Sequence, residues 1–137
     1  MELVEQKPYS KACTLACIAM IEGVSMQEII DLCDYKEGSA THKHRELLAD
    51  HFCREDVYCS SGYMIEGTKV NGRALEQLHK EHGTLFCHVS DSLDFSFGHS
   101  VILHDNNLYD PHFGLNPQWT WSRHISRVSI VPKRIKI

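Results

Sequence analysis

Apolar residues in this 137-residue chain change their spacing near its middle. As far as His82 they recur every three or four positions, the helical repeat. Beyond it they gather in short runs cut by Gly, Pro, Asn and Asp, the pattern of strands and turns. A chain divided in this way buries both halves by laying helices on a sheet. We therefore expect an α+β fold, with N-terminal helices packed on a C-terminal antiparallel sheet and residues 1–137 forming a single domain.

The helical half resolves into four segments. Ser10 is placed to cap a helix from about Lys11 to Glu22, whose apolar positions are Ala12, Leu15, Ala16, Ala19 and Met20, with Gly23 ending it. Ser25 and Glu28 have the spacing of a capping box for a second helix, Met26 to Cys33, with Ile29, Ile30 and Cys33 on one face. Thr41 opens a third, with Leu47, Leu48 and Phe52 as its apolar side. Asn71 precedes a fourth, Gly72 to His82, with Leu75 and Leu78 inward and Gly83 closing it. Strands are expected at Leu85–Val89, Ser100–His104 and Val128–Val131. Asp105-Asn106-Asn107 is a turn that returns the chain through Leu108-Tyr109 as a hairpin, before Pro111 and Gly114 break the pattern.

Charge and cysteine usage narrow the function classes. A net charge of −4 and a pI near 6.2 argue against a nucleic-acid partner, and the short basic stretch Pro132-Lys133-Arg134-Ile135-Lys136 reads as a solvated tail rather than a binding arm. The segment Met1-Glu2-Leu3-Val4-Glu5 lacks the basic and apolar regions of a signal peptide, and no apolar run reaches the roughly 18–20 residues that span a bilayer. The expected location is cytoplasmic, with no membrane partner. Cys13, Cys17, Cys33, Cys53, Cys59 and Cys87 are then expected to be reduced, most of them as small buried hydrophobes.

Position separates Cys13 from the other thiols. At the start of the first helix it lies in the positive end of the helix dipole, which favours a thiolate; Cys17, one turn on, lies where that field has faded. In the second half, Gly98 and His99 open a strand, and Asp110 ends the return arm of its hairpin. The turn falls about midway between them, so an antiparallel register can set the Asp110 carboxylate beside His99. It would there accept the second ring N–H and support an imidazolium.

Two stretches carry a resemblance to a known family. The segment from Gln6 to Met20, QKPYSKACTLACIAM, resembles the opening motif of C39-type peptidases in the papain-like superfamily, in which a glutamine precedes a nucleophilic cysteine on a helix. The segment from His99 to Gly114, HSVILHDNNLYDPHFG, resembles their second motif: histidine, apolar strand, turn, Asp-Pro and a nearby glycine. The resemblance implies a papain-like fold and a cysteine peptidase acting on a peptide or protein, with no cofactor. Cys13 would be the nucleophile, His99 the general base and Asp110 its orienting group. Gln6 would complete the oxyanion hole with the Cys13 backbone N–H. Two departures stand out. The Gln6-to-Cys13 interval is one residue longer than in the tightest members. Thr14 also replaces the usual glycine, and a β-branched side chain there can crowd a bound substrate. The leader peptidases of the family are fused to exporters, and this chain has no membrane or ATPase part.

Other assignments compete. Asp105 rivals Asp110, and His104 and His112 rival His99; Gln27 and Gln77 are weaker oxyanion donors, since neither precedes the cysteine. A small zinc-binding protein would draw on His42, His44, His79, His82, Cys53 and Cys59, but paired Cys-x₂-Cys units are absent and no metal is expected. A catalytically inactive papain-like module would instead hold or block a protein partner in the same cleft. Trp119 and Trp121 alternate with polar residues and read as a core-edge anchor rather than a ligand platform.

Overall fold

A computed structural model of the chain describes residues 1–9, 11–37, 41–59, 63–69, 72–90, 98–117 and 124–133. The expectations for Ser10, Asn71, Trp119, Trp121 and residues 134–136 fall outside these, as does the His42 side chain.

The first helix, α1 (Cys13–Glu22), is the axis of the helical layer. Every residue from Thr14 to Met20 is buried, which is the fate of a helix apolar on all sides. It starts two residues later than its periodicity suggests, with buried Ala12 as N-cap, so Cys13 is its first helical residue. Gly23 ends it in the left-handed region at φ 69°, donating its N–H to the Ala19 carbonyl. Helix α2 (Met26–Cys33) has the anticipated bounds: Ser25 Oγ accepts the Glu28 N–H at 3.1 Å, and Ile29, Ile30 and Cys33 face inward. Helix α3 (Thr41–Phe52) buries Leu48 and Ala49 but leaves Leu47 exposed. The buried pair Leu48 and Ala49 sets the inward side of α3, and Leu47, about 100° round the helix from Leu48 on the side away from Ala49, falls outside it. A four-residue helix not anticipated from periodicity, α4 (Glu55–Tyr58), follows. Its N-cap Arg54 places Nε 2.5 Å from buried Glu22 and donates through Nη1 to the Pro132 carbonyl at 3.2 Å, and the Tyr58 hydroxyl also donates to Glu22. The polar end of α1 is thereby tied to α4 and to the segment that follows the last strand.

Strand β1 (Tyr63–Lys69), helix α5 (Gly72–His82) and strands β2 (Leu85–Ser90), β3 (Gly98–His104), β4 (Asn107–Asp110), β5 (Gly114–Leu115) and β6 (His124–Ile130) complete the fold. The six strands form one antiparallel sheet in the order β1-β6-β2-β3-β4-β5. β1 and β5 were not foreseen, and β6 starts earlier than its apolar run suggests. The β3–β4 turn is shorter than anticipated. His104 pairs with Asn107, leaving Asp105 and Asn106 at φ 47° and 64°, both left-handed as a two-residue hairpin of this twist requires.

Alternation along the strands divides the core in two. Phe86, Ile102 and Tyr109 join the helical layer around Leu15, Ile18, Ile29 and Leu48. Their strand neighbours Leu85, Cys87, Val101, Leu103 and Leu108 pack with Val128 and with Leu75 of α5. Each fully buried Leu or Ile contributes roughly 1.5–3 kcal/mol relative to exposure. The sheet is thus held from both sides, and the start of β3 is fixed against the start of α1.

Candidate active site

The site is assembled where α1 begins and β3 begins. Continuing the β3–β4 register by one residue sets Asp110 opposite Val101, so His99 and Asp110 are diagonal neighbours on one side of the hairpin. Their side chains meet, with His99 Nε2 2.7 Å from Asp110 Oδ1. The carboxylate is fully buried, and the same Oδ1 accepts the His112 N–H at 2.8 Å and the Phe113 N–H at 3.1 Å. The turn after Pro111 therefore serves to hold this carboxylate. With Nε2 committed to Asp110, Nδ1 is the ring nitrogen left for exchange with a thiol.

That thiol is Cys13, which is partly exposed and hydrogen-bonded to His99. Burial alone would raise its pKa, yet the His99 hydrogen bond and charge, followed by the Ser100 and Thr14 backbone N–H groups, bring it below the ordinary thiol value. Ala12 supplies no capping side chain, so the first-turn amides of α1 remain oriented toward an anion at this end. His99 is displaced the other way. Burial works against its charge, but the Asp110 hydrogen bond and then Cys13 raise its pKa to about 9. Asp110, opposed by its own burial, is lowered through His99 and the two backbone N–H donors. Thiolate, imidazolium and carboxylate thus stabilise one another in a line.

The remaining thiols differ. Burial, and after it the nearby Cys13 and Asp110, push Cys17 far up, and burial pushes Cys87 to about 12. Cys33 is also raised by burial, as is Cys59. All six cysteines are unpaired, and Cys13 is shifted toward the thiolate where Cys17, Cys33, Cys59 and Cys87 are shifted away from it.

Gln6 is buried and approaches the same end from the opposite direction. Its backbone N–H donates to the Pro111 carbonyl at 3.0 Å, one residue past Asp110. Its side-chain Nε2 donates to the Tyr9 carbonyl at 3.3 Å, a bond that uses one of the two amide hydrogens and fixes the plane of the group. The rivals are placed elsewhere. His104 Nδ1 bonds Thr84 Oγ1 at 2.6 Å at the far end of β3, beside a solvent-facing Asp105. The exposed His112 ring stands edge-on to His99 with centroids 6.5 Å apart, and its contribution to the carboxylate is through its backbone. Gln27 and Gln77 bond Asp31 and Glu81 on exposed helix faces.

His79 is occupied structurally: Nδ1 donates to the Gly83 carbonyl at 2.7 Å and Nε2 accepts the Asn106 N–H at 3.0 Å, joining the end of α5 to the hairpin turn. Among the described residues, no three His, Cys, Asp or Glu side chains converge as metal ligands.

Thr14 departs from its expected place. Its side chain is buried behind the site, with Oγ1 2.9 Å from Ser100 Oγ, rather than standing over a substrate. Sequence reasoning missed Ser100 itself. The available signal was a hydroxyl heading an otherwise apolar strand segment, where a buried polar group needs a partner.

No family model, curated protein or solved structure matches this chain.

Proposed function

We propose that the chain is a cysteine hydrolase of papain-like type, resembling the C39-type peptidases, that cleaves a peptide or protein substrate in the cytoplasm without a cofactor. The observation that carries this reading is the continuous line Cys13–His99–Asp110, in which a half-buried thiol has its pKa lowered by an imidazole that a buried carboxylate orients. Arrangements of this kind are what nucleophilic catalysis by cysteine requires.

The chemistry follows from the geometry. The Cys13 thiolate attacks the substrate carbonyl carbon, a C–S bond forms, and the carbonyl electron pair moves to oxygen. The Cys13 backbone N–H and the Gln6 amide are the donors for that oxyanion, a contribution typically worth about 10²–10³ in rate. As the C–N bond breaks, its electron pair takes a proton from the His99 imidazolium and the amine departs. Neutral His99 then removes a proton from water, whose oxygen attacks the thioester carbonyl. Collapse of this second intermediate releases the acid and restores the thiolate and imidazolium. Asp110 keeps the ring oriented and supports its charge through both halves.

Iodoacetamide labelling at neutral pH, with the modified cysteine mapped by mass spectrometry, tests the assignment. Cys13 should be alkylated far ahead of the other cysteines, and His99→Ala should slow that reaction by about 10²-fold, within the range attributed to a positioned base. Uniform slow labelling of the exposed thiols would remove the basis of the proposal. A Cys13→Ser variant that retained peptide cleavage would do the same, and one that retained only partner binding would favour the inactive module.

A further inference from the structure

Behind the reacting pair runs a second line of polar groups. Thr14 follows Cys13 on α1, and Ser100 follows His99 on β3. Their hydroxyls lie 2.9 Å apart in a buried contact between residues 86 positions apart in sequence. Ser100 Oγ is in turn 3.1 Å from His88 Nδ1 on β2, the residue paired with it across the sheet. Successive side chains of a strand point to opposite sides, and successive residues of a helix are about 100° apart. The start of α1 therefore straddles the start of β3, with Cys13 reaching His99 on one side and Thr14 reaching Ser100 on the other.

We infer that Thr14, Ser100 and His88 form a positioning chain that sets the reach between Cys13 and His99. The inference rests on the reading of that pair as the reacting groups. A helix terminus resting on a strand can slide or tilt by fractions of an ångström, and proton exchange between sulfur and nitrogen is sensitive to shifts of that size. A direct bond between the residues adjacent to nucleophile and base removes much of this freedom. Ser100 acts twice, since its backbone N–H also reaches the Cys13 sulfur.

The third member makes the chain directional. His88 is held neutral, its pKa lowered to about 3 by burial and then by the charges of Arg45 and Arg127. With the ring proton on Nε2, Nδ1 accepts from Ser100, which leaves the Ser100 oxygen to accept from Thr14. Each hydroxyl hydrogen then has one destination. The charged groups that act on His88 after burial are Arg45 of α3 and Arg127 of β6, and on its own strand the Phe86 ring lies 4.9 Å away between centroids. A glycine after the cysteine could not make this link.

Iodoacetamide alkylation of Cys13 in the full chain, followed across pH 5–10, gives the test. Thr14→Val keeps the shape of the side chain and removes its hydroxyl. It should move the alkylation profile to higher pH and slow the reaction at pH 7 about fivefold, the equivalent of one buried hydrogen bond. Thr14→Ser should restore the wild-type profile. Ser100→Ala cuts the chain from the strand side without added bulk and should give the same shift; it decides the question if Thr14→Val does not fold. The double variant should be no slower than the slower single one, because both remove one connection. A wild-type profile in Thr14→Val or Ser100→Ala, alongside a slowed His99→Ala, would overturn the positioning chain while leaving the reacting pair intact. Unchanged alkylation in His99→Ala would instead overturn the pair itself.

Discussion

His99 and His88 stand on neighbouring strands, one residue out of step, and their environments drive them to opposite charge states. Both rings lose water, which disfavours the imidazolium in each. His99 recovers its charge through a buried carboxylate at 2.7 Å and a thiol ready to give up its proton, and its pKa rises to about 9. His88 meets a hydroxyl and two arginines, and its pKa falls to about 3. Burial is the largest influence on both rings and pushes each toward the neutral form; what differs is whether nearby charges reverse it. The sign of the nearest charges separates them, and those charges come from different elements: the end of β4 and the start of α1 for His99, and α3 with β6 for His88.

The comparison breaks most visibly at Asp110. Asp110→Asn keeps an acceptor beside His99 but removes the negative charge. The imidazolium should be lost at lower pH, near the ordinary histidine value of about 6.5, and the Cys13 pKa should climb back toward that of a free thiol. Iodoacetamide alkylation of Cys13 at pH 7 is expected to fall by tenfold or more, roughly one pKa unit's worth. Retention of the wild-type pH profile would show that the carboxylate charge is not what sustains His99.

A smaller effect is expected in thermal stability. The folded pKa of His99 is raised, so its contribution is fully present below its unfolded value, about 6.5, and is lost as pH rises through about 9. The folded pKa of Asp110 is lowered, so its contribution is present above its unfolded value, about 3.9, and is lost as pH falls through the lowered one. The gap in Tm between the wild type and Asp110→Asn should therefore be widest around pH 5–6 and close toward both pH 3 and pH 10. For a chain of this length it should amount to a few degrees, about 3 °C per kcal/mol. A gap constant across this range would point to packing rather than charge.

The smallest signal is at His88 itself. Its imidazole resonances should stay in place from pH 5 to pH 9 in an NMR titration, while those of His99 move near pH 9. Movement of His88 near pH 6.5 would mean that water or a carboxylate reaches it.

Much of the frame that holds these groups was legible in the sequence, because local rules govern it. The Ser25–Glu28 cap, the apolar sides of α2 and α5, Gly23 and Gly83 as helix ends, and the β3–β4 hairpin all depend on residues a few positions apart. What escaped depends on partners distant in sequence. In β1, the stretch Glu66-Gly67 interrupts any strand alternation, and its pairing with β6 shifts register between Met64 and Thr68. The four residues of α4 are too few for a helical period, and the helix is anchored by Glu22 and Pro132 through Arg54. At the site, residue type and order singled out Cys13, His99 and Asp110. The 2.7 Å bond, the amides of the turn and the place of Thr14 behind rather than before the thiol come from tertiary packing. Gln6 stood out by its motif position, but its tie to Pro111 did not.

The tight Asp105–Asn106 turn has a consequence for the order of assembly. It brings together two side chains only 11 residues apart, and hairpins of this kind close in about 1–10 μs. Bringing α1 to the same place closes a loop of more than 80 residues, a slower step with a larger entropic cost. The imidazole–carboxylate half is thus expected to form early and transiently, while the sulfur joins only when helix and sheet dock. Until then Cys13 behaves as an ordinary thiol, so a nascent or partly unfolded chain lacks the reactivity of the finished one.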